Sequence, residues 1–357
     1  MSTSTRVGII GAGAIAMYGH IPGIKKHPHG SVVAVCDTNQ ERANALAASN
    51  GINTVYTNWR DIIADPNIDA VTVALPNALH AEVTIAALKA GKHVLCEKPL
   101  AMTVAQGEEM VATAHKEGRV LAINMSNRPR AEVQYMKAKV AEGKIGKISY
   151  AQGRMIRRAG IPGFGSWFTR KELSGGGALL DIGVHMLDMV LYALGNPKVS
   201  AIRGEVQAVH GPQRRGLGGW GSDRVMDGTF DVDDLASLHL RLADGGLVTI
   251  EVTWAVYAQN EERIQLIGDQ GGFDFYPTLY GSDKPLRFYS DDNGSPIETI
   301  PTLPHIADGA GNVVYKRYID AIRGTGAVVA SGDDGLAILR LLEATYKSAA
   351  EKSEISL

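Results

Sequence analysis

Along the first third of the chain, short runs of β-branched and other apolar residues (7–10, 32–36, 70–74, 93–96 and 120–123) alternate with stretches of helical character (39–49, 79–90 and 104–116). Continuous apolar runs with helical connectors predict a parallel sheet buried on both faces, because each crossover helix lays its apolar stripe on the sheet. Gly51, Gly91 and Gly118 each follow a helical stretch, where a left-handed residue ends the helix without a Cβ clash. Beyond Asn124 the rhythm changes. A helix over 131–142 ending at Gly143, a strand over 147–157, a glycine-rich bend and a helix over 177–194 closed by Gly195 lead into strands over 199–209, 235–242, 247–257 and 262–268. Turn residues such as Ala243-Asp244-Gly245-Gly246 join neighbouring runs and predict an antiparallel sheet. The polar–apolar alternation over 263–266 predicts one sheet face in water or against another subunit. Helices over 312–323 and 335–352 follow. The predicted plan is an α/β domain over residues 1–125, then an α+β domain over 126–357 with a large, mostly antiparallel open sheet.

A chain of 357 residues exceeds what one ordinary core fills, which agrees with two domains. With 45% apolar and 21% charged residues its composition is globular, and a formal net charge of −2 argues against the extended basic surface that nucleic acid requires. The polar start, residues 1–6, runs directly into the first strand-like segment and leaves no apolar region of signal-peptide type. No run approaches the ~18 to 20 apolar residues of a membrane span. A cytoplasmic protein without a membrane partner is expected. Cys36 and Cys96 each close an apolar run, as buried reduced thiols do, and strands two and five of a doubly wound sheet in the order 3-2-1-4-5-6 are not neighbours.

Gly11-Ala12-Gly13-Ala14-Ile15-Ala16 follows the first strand and opens the first helix with the spacing of a dinucleotide loop. Gly11 allows the tight turn, Gly13 lets backbone approach a pyrophosphate, Ala16 permits close helix–strand packing, and the N–H groups at Ala14 and Ile15 face the phosphates. Asp37 stands 24 residues beyond Gly13, at the end of the second strand. Its carboxylate accepts hydrogen bonds from ribose hydroxyls and repels a 2′-phosphate, so NAD is favoured over NADP. Arg42, a turn along the next helix, softens that preference if it reaches a phosphate.

Three further segments carry chemistry: Leu75-Pro76-Asn77-Ala78-Leu79-His80, the run from His93 through Glu97-Lys98-Pro99 to Leu100, and Gly175-Gly176-Gly177-Ala178-Leu179-Leu180-Asp181-Ile182-Gly183-Val184-His185. Together, and in this order, they resemble the Gfo/Idh/MocA family, which includes glucose-fructose oxidoreductase and the inositol dehydrogenases. The resemblance extends from the glycine loop to the final helix. It implies a pyridine-nucleotide enzyme acting on sugars, cyclitols or their derivatives, a Rossmann domain followed by a larger sheet, and assembly as a homodimer or homotetramer through the open sheet face.

By that resemblance Lys98, Asp181 and His185 are the catalytic groups, Pro76, Asn77 and His80 line the nicotinamide and its ribose, Glu97 reaches the same ribose, and Arg128 enters the substrate site. Elementary chemistry agrees for the first three. Asp181 and His185, four apart on a predicted helix, share a face; an imidazole suits a general base near neutrality, and an ammonium stabilises a developing alkoxide. Taken singly, a loop lysine is more often solvated and a helical histidine more often packed, and Asp188 is a competing carboxylate on nearly the same face. The Lys98-Pro99 bond is a candidate for cis. Around Arg128 the chain departs from the commoner family pattern, with Asn127-Arg128-Pro129-Arg130 in place of an arginine followed by an aromatic residue.

Arg157, Arg158, Trp167 and Phe168, with His305 further on, are candidates for the substrate pocket, since an aromatic face and cationic donors suit a sugar's C–H surface and hydroxyls. Packing roles for Trp167 and solvated arginines are equally consistent with the residues. The glycine-rich, basic, aromatic segment 211–221 reads as a mobile excursion, a lid or an oligomer contact. Asp231-Val232-Asp233-Asp234 has metal-like spacing without convergent ligands, and a structural role is expected instead. The leading expectation is an NAD-dependent dehydrogenase of a secondary hydroxyl. A glycoside C3 dehydrogenase and a redox-neutral enzyme with retained NAD are variants of it, and a non-catalytic nucleotide or sugar sensor is the reading from another class.

Overall fold

The computed structural model describes residues 4–221, 223–277, 286–306 and 309–357; the first residues of the polar start lie outside it. The chain divides into two compact units, Met1–Pro129 with Ala307–Leu339, and Arg130–Ile306 with Arg340–Leu357.

The first unit begins with β1 (Thr5–Ile10), a π-helical turn over Ala16–His20 and α1 (Ile21–Lys25), followed by β2 (Gly30–Cys36), α2 (Gln40–Ser49), β3 (Thr54–Tyr56), α3 (Trp59–Ala64) and β4 (Ala70–Val73). Then come α4 (His80–Lys89), β5 (His93–Cys96), α5 (Val104–Glu117) and β6 (Leu121–Ile123). The strands form one six-stranded parallel sheet in the order β3-β2-β1-β4-β5-β6. Every residue of β4 and β6 is buried, as a sheet covered on both faces demands. Each such Val, Leu or Ile contributes on the order of 1.5–3 kcal/mol relative to exposure. Cys36 and Cys96 lie in the non-adjacent β2 and β5, unpaired, and burial pushes both thiols well above their ordinary value.

The second unit contains α6 (Ala131–Ala141), β7 (Ile148–Ile156), α7 (Lys171–Ser174), a π-helical turn over Leu179–Gly183 running into α8 (Val184–Ala193), β8 (Val199–Gln207), β9 (Leu235–Leu242), β10 (Leu247–Thr253), β11 (Glu261–Gly268) and β12 (Gly272–Phe275). After β13 (Arg287–Asp292) and β14 (Ser295–Thr299), α9 (Ala310–Ile322) and the first part of α10 (Gly332–Glu351) return to the first unit, and β15 (Ile355–Ser356) closes the second sheet. That sheet has nine strands in the order β14-β13-β12-β11-β7-β10-β9-β8-β15. All its pairings are antiparallel except β7 with β10.

A single division at residue 125 does not follow the compact units, because α9 carries an apolar face that needs a partner. Val314, Tyr315, Tyr318 and Ile319 enter the same buried cluster as Ile21 and Ile24 of α1 and Val7 and Ile9 of β1. The fit is close: a Cβ on Gly23 would stand 2.1 Å from the Tyr315 ring.

In the second unit one face of the sheet is apolar (Ala151, Met155, Val248, Ile250, Val252, Leu238 and Leu240), and α8 packs on it where Gly153 leaves room for Met186. The other face mixes exposed apolar residues with charged cross-strand pairs, with Arg154 2.7 Å from both Glu251 and Glu261 and Arg263 gripping Asp274 at 2.8 and 2.7 Å. By length and composition the run Lys171–Ala193 is apolar enough to cross a membrane, but 83% of its window is buried within the protein as a core helix is.

Replacing Gly153 by Val would press a side chain into Met186 and Ile250, whose atoms lie 2.6–2.9 Å from the position of its Cβ. Overpacking of this kind costs about 1–3 kcal/mol, so a G153V protein should melt several degrees below the parent in a calorimetric scan.

Candidate active site

The glycine loop of the first unit has the geometry of a phosphate cradle. Gly11 adopts φ +100°, and a Cβ there would meet the Ala74 carbonyl oxygen at 2.1 Å, which excludes other residues. Around Gly13 nothing lies within 4 Å of a built Cβ, so the backbone is open to an approaching group. The helical run opens at Ala14, and its first N–H groups have no carbonyl one turn earlier within the helix. Asp37 accepts from the Ala12 N–H at 2.9 Å and the Asn39 N–H at 2.8 Å, which fixes its carboxylate beside the loop. Arg42 leans on the same carboxylate, Nε to Oδ2 at 3.3 Å. Loop, helix start and acid therefore fit an adenosine pyrophosphate and its ribose.

The segment around Lys98 is pinned on both sides. The Lys98-Pro99 bond is cis. Glu97 turns into the protein: its Oε1 lies 2.8 Å from His20 Nε2 and accepts from Asn124 Nδ2 at 2.6 Å. That carboxylate oxygen is bonded inside the first unit. Burial alone would raise its titration; the contacts with His20 and Asn124 and the nearby Lys98 outweigh burial and hold it at about 2.

His80 is held against the same turn. It is fully buried, with Nδ1 2.8 Å from the Pro99 carbonyl and Nε2 2.9 Å from that of Leu75. It clamps the 75–80 loop to the lysine turn. Burial holds it below the ordinary histidine value, and a neutral ring donates to one of those carbonyls at a time. Pro76 precedes a short 3₁₀ turn that carries the buried Asn77.

Arg128 is engaged within the first unit. Its side chain is 3% exposed and sits 3.1 Å from Asp334, and this cation helps hold the aspartate below the usual carboxylate range against the opposing effect of burial.

In the second unit the glycine-rich 175–177 segment is explained by what crowds it. A Cβ on Gly176 would meet the Tyr346 hydroxyl at 2.1 Å, and one on Gly177 would meet the Asp233 carbonyl at 1.8 Å. The buried Asp233 carboxylate accepts from Gly177 N at 2.8 Å, Leu179 N at 2.9 Å and the Tyr346 hydroxyl at 2.7 Å. It thereby caps the helical run that carries Asp181 and His185. Burial raises this carboxyl despite those bonds.

Asp181 lies in the π-helical turn and accepts from the indole N–H of the fully buried Trp254 at 2.9 Å. π-turns recur at functional sites because they re-aim side chains within a helix. Asp181 and His185 are both part-exposed, whereas Asp188 is buried, which separates the candidate pair from its competitor.

Arg157 follows β7 directly as Trp254 follows β10. These two strands pair in register up to Ile156 and Thr253, so their ends lie side by side, and Arg157 N donates to Thr253 O at 3.2 Å. Trp167 stacks on Phe168 with ring centroids 3.8 Å apart, both half-buried. His305 is exposed in the segment before α9.

The 211–221 segment is stitched to its neighbours. Gly160 N and Ile161 N donate to Gly216 O at 3.0 Å, Gly218 N to Ile161 O at 2.9 Å, and Gly163 N to Trp220 O at 2.8 Å. The acidic run is structural, as expected: Asp231 accepts from Lys171 N, and Asp234 from the N–H groups of Val209, His210 and Gly211.

Sequence reasoning missed His20, Asn124, Tyr315, Trp254 and Tyr346. Each is a long-range partner, and none stands in a motif whose spacing announces it.

Two outcomes follow. Removing the Asp37 carboxylate (Asp37→Ala) should raise the NADP-to-NAD ratio of binding constants by about tenfold or more, read by fluorescence titration. Glu97 has a folded-state value below its ordinary 4.5, so its stabilisation is present above that value and is lost as pH falls toward 2. The melting-temperature gap between the parent and Glu97→Gln should accordingly narrow between about pH 6 and about pH 3.

Comparison with known proteins meets this geometry. Residues 5–125 match the model of an oxidoreductase family with an NAD-binding Rossmann fold, and residues 133–274 match the GFO/IDH/MocA C-terminal domain. The D-glucoside 3-dehydrogenase of Escherichia coli (strain K12) is 33% identical over 100% of this chain and 98% of its own length. The myo-inositol 2-dehydrogenase of Thermotoga maritima is 28% identical over 99% and 98%. A levoglucosan dehydrogenase solved with NADH and levoglucosan superposes with a TM-score of 0.85 over 99% of each chain, at 27% identity. Matched in both of its domains and along its whole length, the chain belongs to the GFO/IDH/MocA family of oxidoreductases.

Proposed function

We propose that this protein reversibly oxidises a secondary hydroxyl of a sugar, cyclitol or glycoside, delivering the carbinol hydride to NAD. The observation that carries the reading is the Asp181–His185 pair. Both side chains reach solvent from a helical run whose start is locked by Asp233, and Asp181 is held by an indole N–H, in a chain that also presents Lys98.

NAD, when bound on the 11–15 loop, supplies the hydride acceptor. His185 takes the hydroxyl proton as the C–H bond breaks, the Lys98 ammonium stabilises the oxygen as negative charge develops, and Asp181 orients the hydroxyl or the imidazole. The products are the ketone and a protonated His185.

Among substrates, a glycoside oxidised at C3 is favoured by the E. coli relative and by the stacked, half-buried Trp167 and Phe168, a surface suited to a sugar ring's C–H face. An intact lysine and histidine speak against a purely regulatory role.

A homodimer or homotetramer is supported by an apolar row on the sheet: Leu247, Tyr150, Ile267 and Tyr289 lie in register across β10, β7, β11 and β13, and Leu247, Ile267 and Tyr289 are exposed. A cytoplasmic setting fits two unpaired cysteines and a pyridine nucleotide.

The test is NADH formation across glucosides, aldoses, sugar acids and inositols. At least one polyol should turn over, glucosides best. Lys98→Met should lower kcat/KM by about a thousandfold while NADH still binds. Full turnover by that variant would remove Lys98 from the mechanism, and silence across the whole panel would overturn the substrate class.

A further inference from the structure

We infer that Glu97 is a positioning residue for Lys98, held by a buried assembly of His20, Asn124 and Tyr315. The inference rests on the reading of Lys98 as the group that meets the reacting oxygen. Three elements of the first unit gather around this carboxylate, which follows β5: the π-helical turn after the glycine loop supplies His20, the residue after β6 is Asn124, and α9 supplies Tyr315, which meets Asn124. The His20 side chain is wholly buried. Asn124 Nδ2 donates to Glu97 at 2.6 Å and lies 3.3 Å from the Tyr315 hydroxyl, while the Tyr315 ring stands 5.2 Å from that of His20.

Two atoms of the assembly, His20 Nδ1 and Asn124 Oδ1, are buried with no hydrogen-bond partner. Burying a carboxylate and leaving a ring nitrogen and an amide oxygen unmet offsets part of the stability its bonds contribute. What it does achieve is immobility. The Glu97 N–H donates to Val73 O at 2.9 Å, its side chain is anchored by His20 and Asn124, and the Pro99 carbonyl on the far side of Lys98 is gripped by His80 at 2.8 Å. Lys98 therefore projects from a backbone fixed at the residue before it and the residue after it. Glu97 acts through that backbone and through its own negative charge next in sequence.

The experiment compares the parent with Glu97→Gln and Tyr315→Phe, the second removing only the hydroxyl at the outer end of the assembly. The readouts are kcat, KM, NADH affinity, melting temperature, and the rate at which trace acetic anhydride labels Lys98 relative to the exposed Lys89. For Glu97→Gln we expect a folded protein with NADH affinity within about twofold, kcat lower by about 10- to 100-fold with KM little changed, and Lys98 labelling altered several-fold. Tyr315→Phe should move the same quantities in the same direction by about two- to fivefold. Adding His20→Gln to Glu97→Gln should cost little beyond the worse single change, because both break one unit.

A folded Glu97→Gln protein with parental kcat and parental Lys98 labelling would overturn the inference. So would a tenfold or greater loss of NADH affinity, about 1.4 kcal/mol, which would make Glu97 a cofactor ligand. If Glu97→Gln does not fold, Tyr315→Phe decides by the same measures. If the parent turns over no polyol, the proposed function fails, whereas the labelling of Lys98 still decides the inference.

Discussion

The position of Asp181 and His185 depends on one desolvated carboxylate. Asp233 gives up its hydration to satisfy the first N–H groups of the helical run that carries both residues, and Tyr346 supplies the remaining strong bond. Once this carboxylate is seated, Gly176 and Gly177 can be nothing bulkier, because the Tyr346 hydroxyl and the Asp233 carbonyl occupy the space a side chain would need. A glycine-rich stretch of this kind reads as flexible in a sequence, yet here it is a consequence of crowding.

The same device recurs. Asp234 gathers the N–H groups of Val209, His210 and Gly211, and Glu97 gathers His20 and Asn124. In each case a carboxylate is removed from water exactly where backbone or side-chain donors would otherwise be orphaned, and the neighbouring chain is fixed as a result. The C-terminal helices participate in both units: Tyr315 of α9 meets Asn124, and Tyr346 of α10 meets Asp233. Residues up to Leu339 count with the first unit and those from Arg340 with the second, so α10 contributes to two separate cores.

Membership of the family identifies the cofactor and the class of chemistry, but the substrate is a matter of side chains. Arg157, Trp167 and Phe168 lie in the stretch between β7 and α7, and the 211–221 segment is bonded along part of that stretch. The relatives named for a glucoside, levoglucosan and myo-inositol share this scaffold, so fold alone does not choose the substrate.

Local pattern was sufficient for much of this molecule. The alternation of apolar runs and helical stretches, the Gly11–Gly13 spacing and Asp37 specified a Rossmann domain in its usual strand order, since strand and helix periods and a left-handed glycine are properties of a few consecutive residues. Lys98, Asp181 and His185 stood out as candidates for the same reason, each sitting in an ordered motif. The internal partners of Glu97, His80 and Arg128 were not. All three are polar residues in motif segments, and whether such a residue faces solvent or the interior depends on partners 27, 19 and 206 positions away: Asn124, Pro99 and Asp334. The return of α9 to the first unit was equally invisible, because an amphipathic helix declares that it has an apolar face without declaring which surface will cover it. Sequence by itself determined the elements, the cofactor loop and the candidate reactive groups; tertiary structure alone decided which polar side chains are spent on internal bonds around them, because that choice is made by long-range burial.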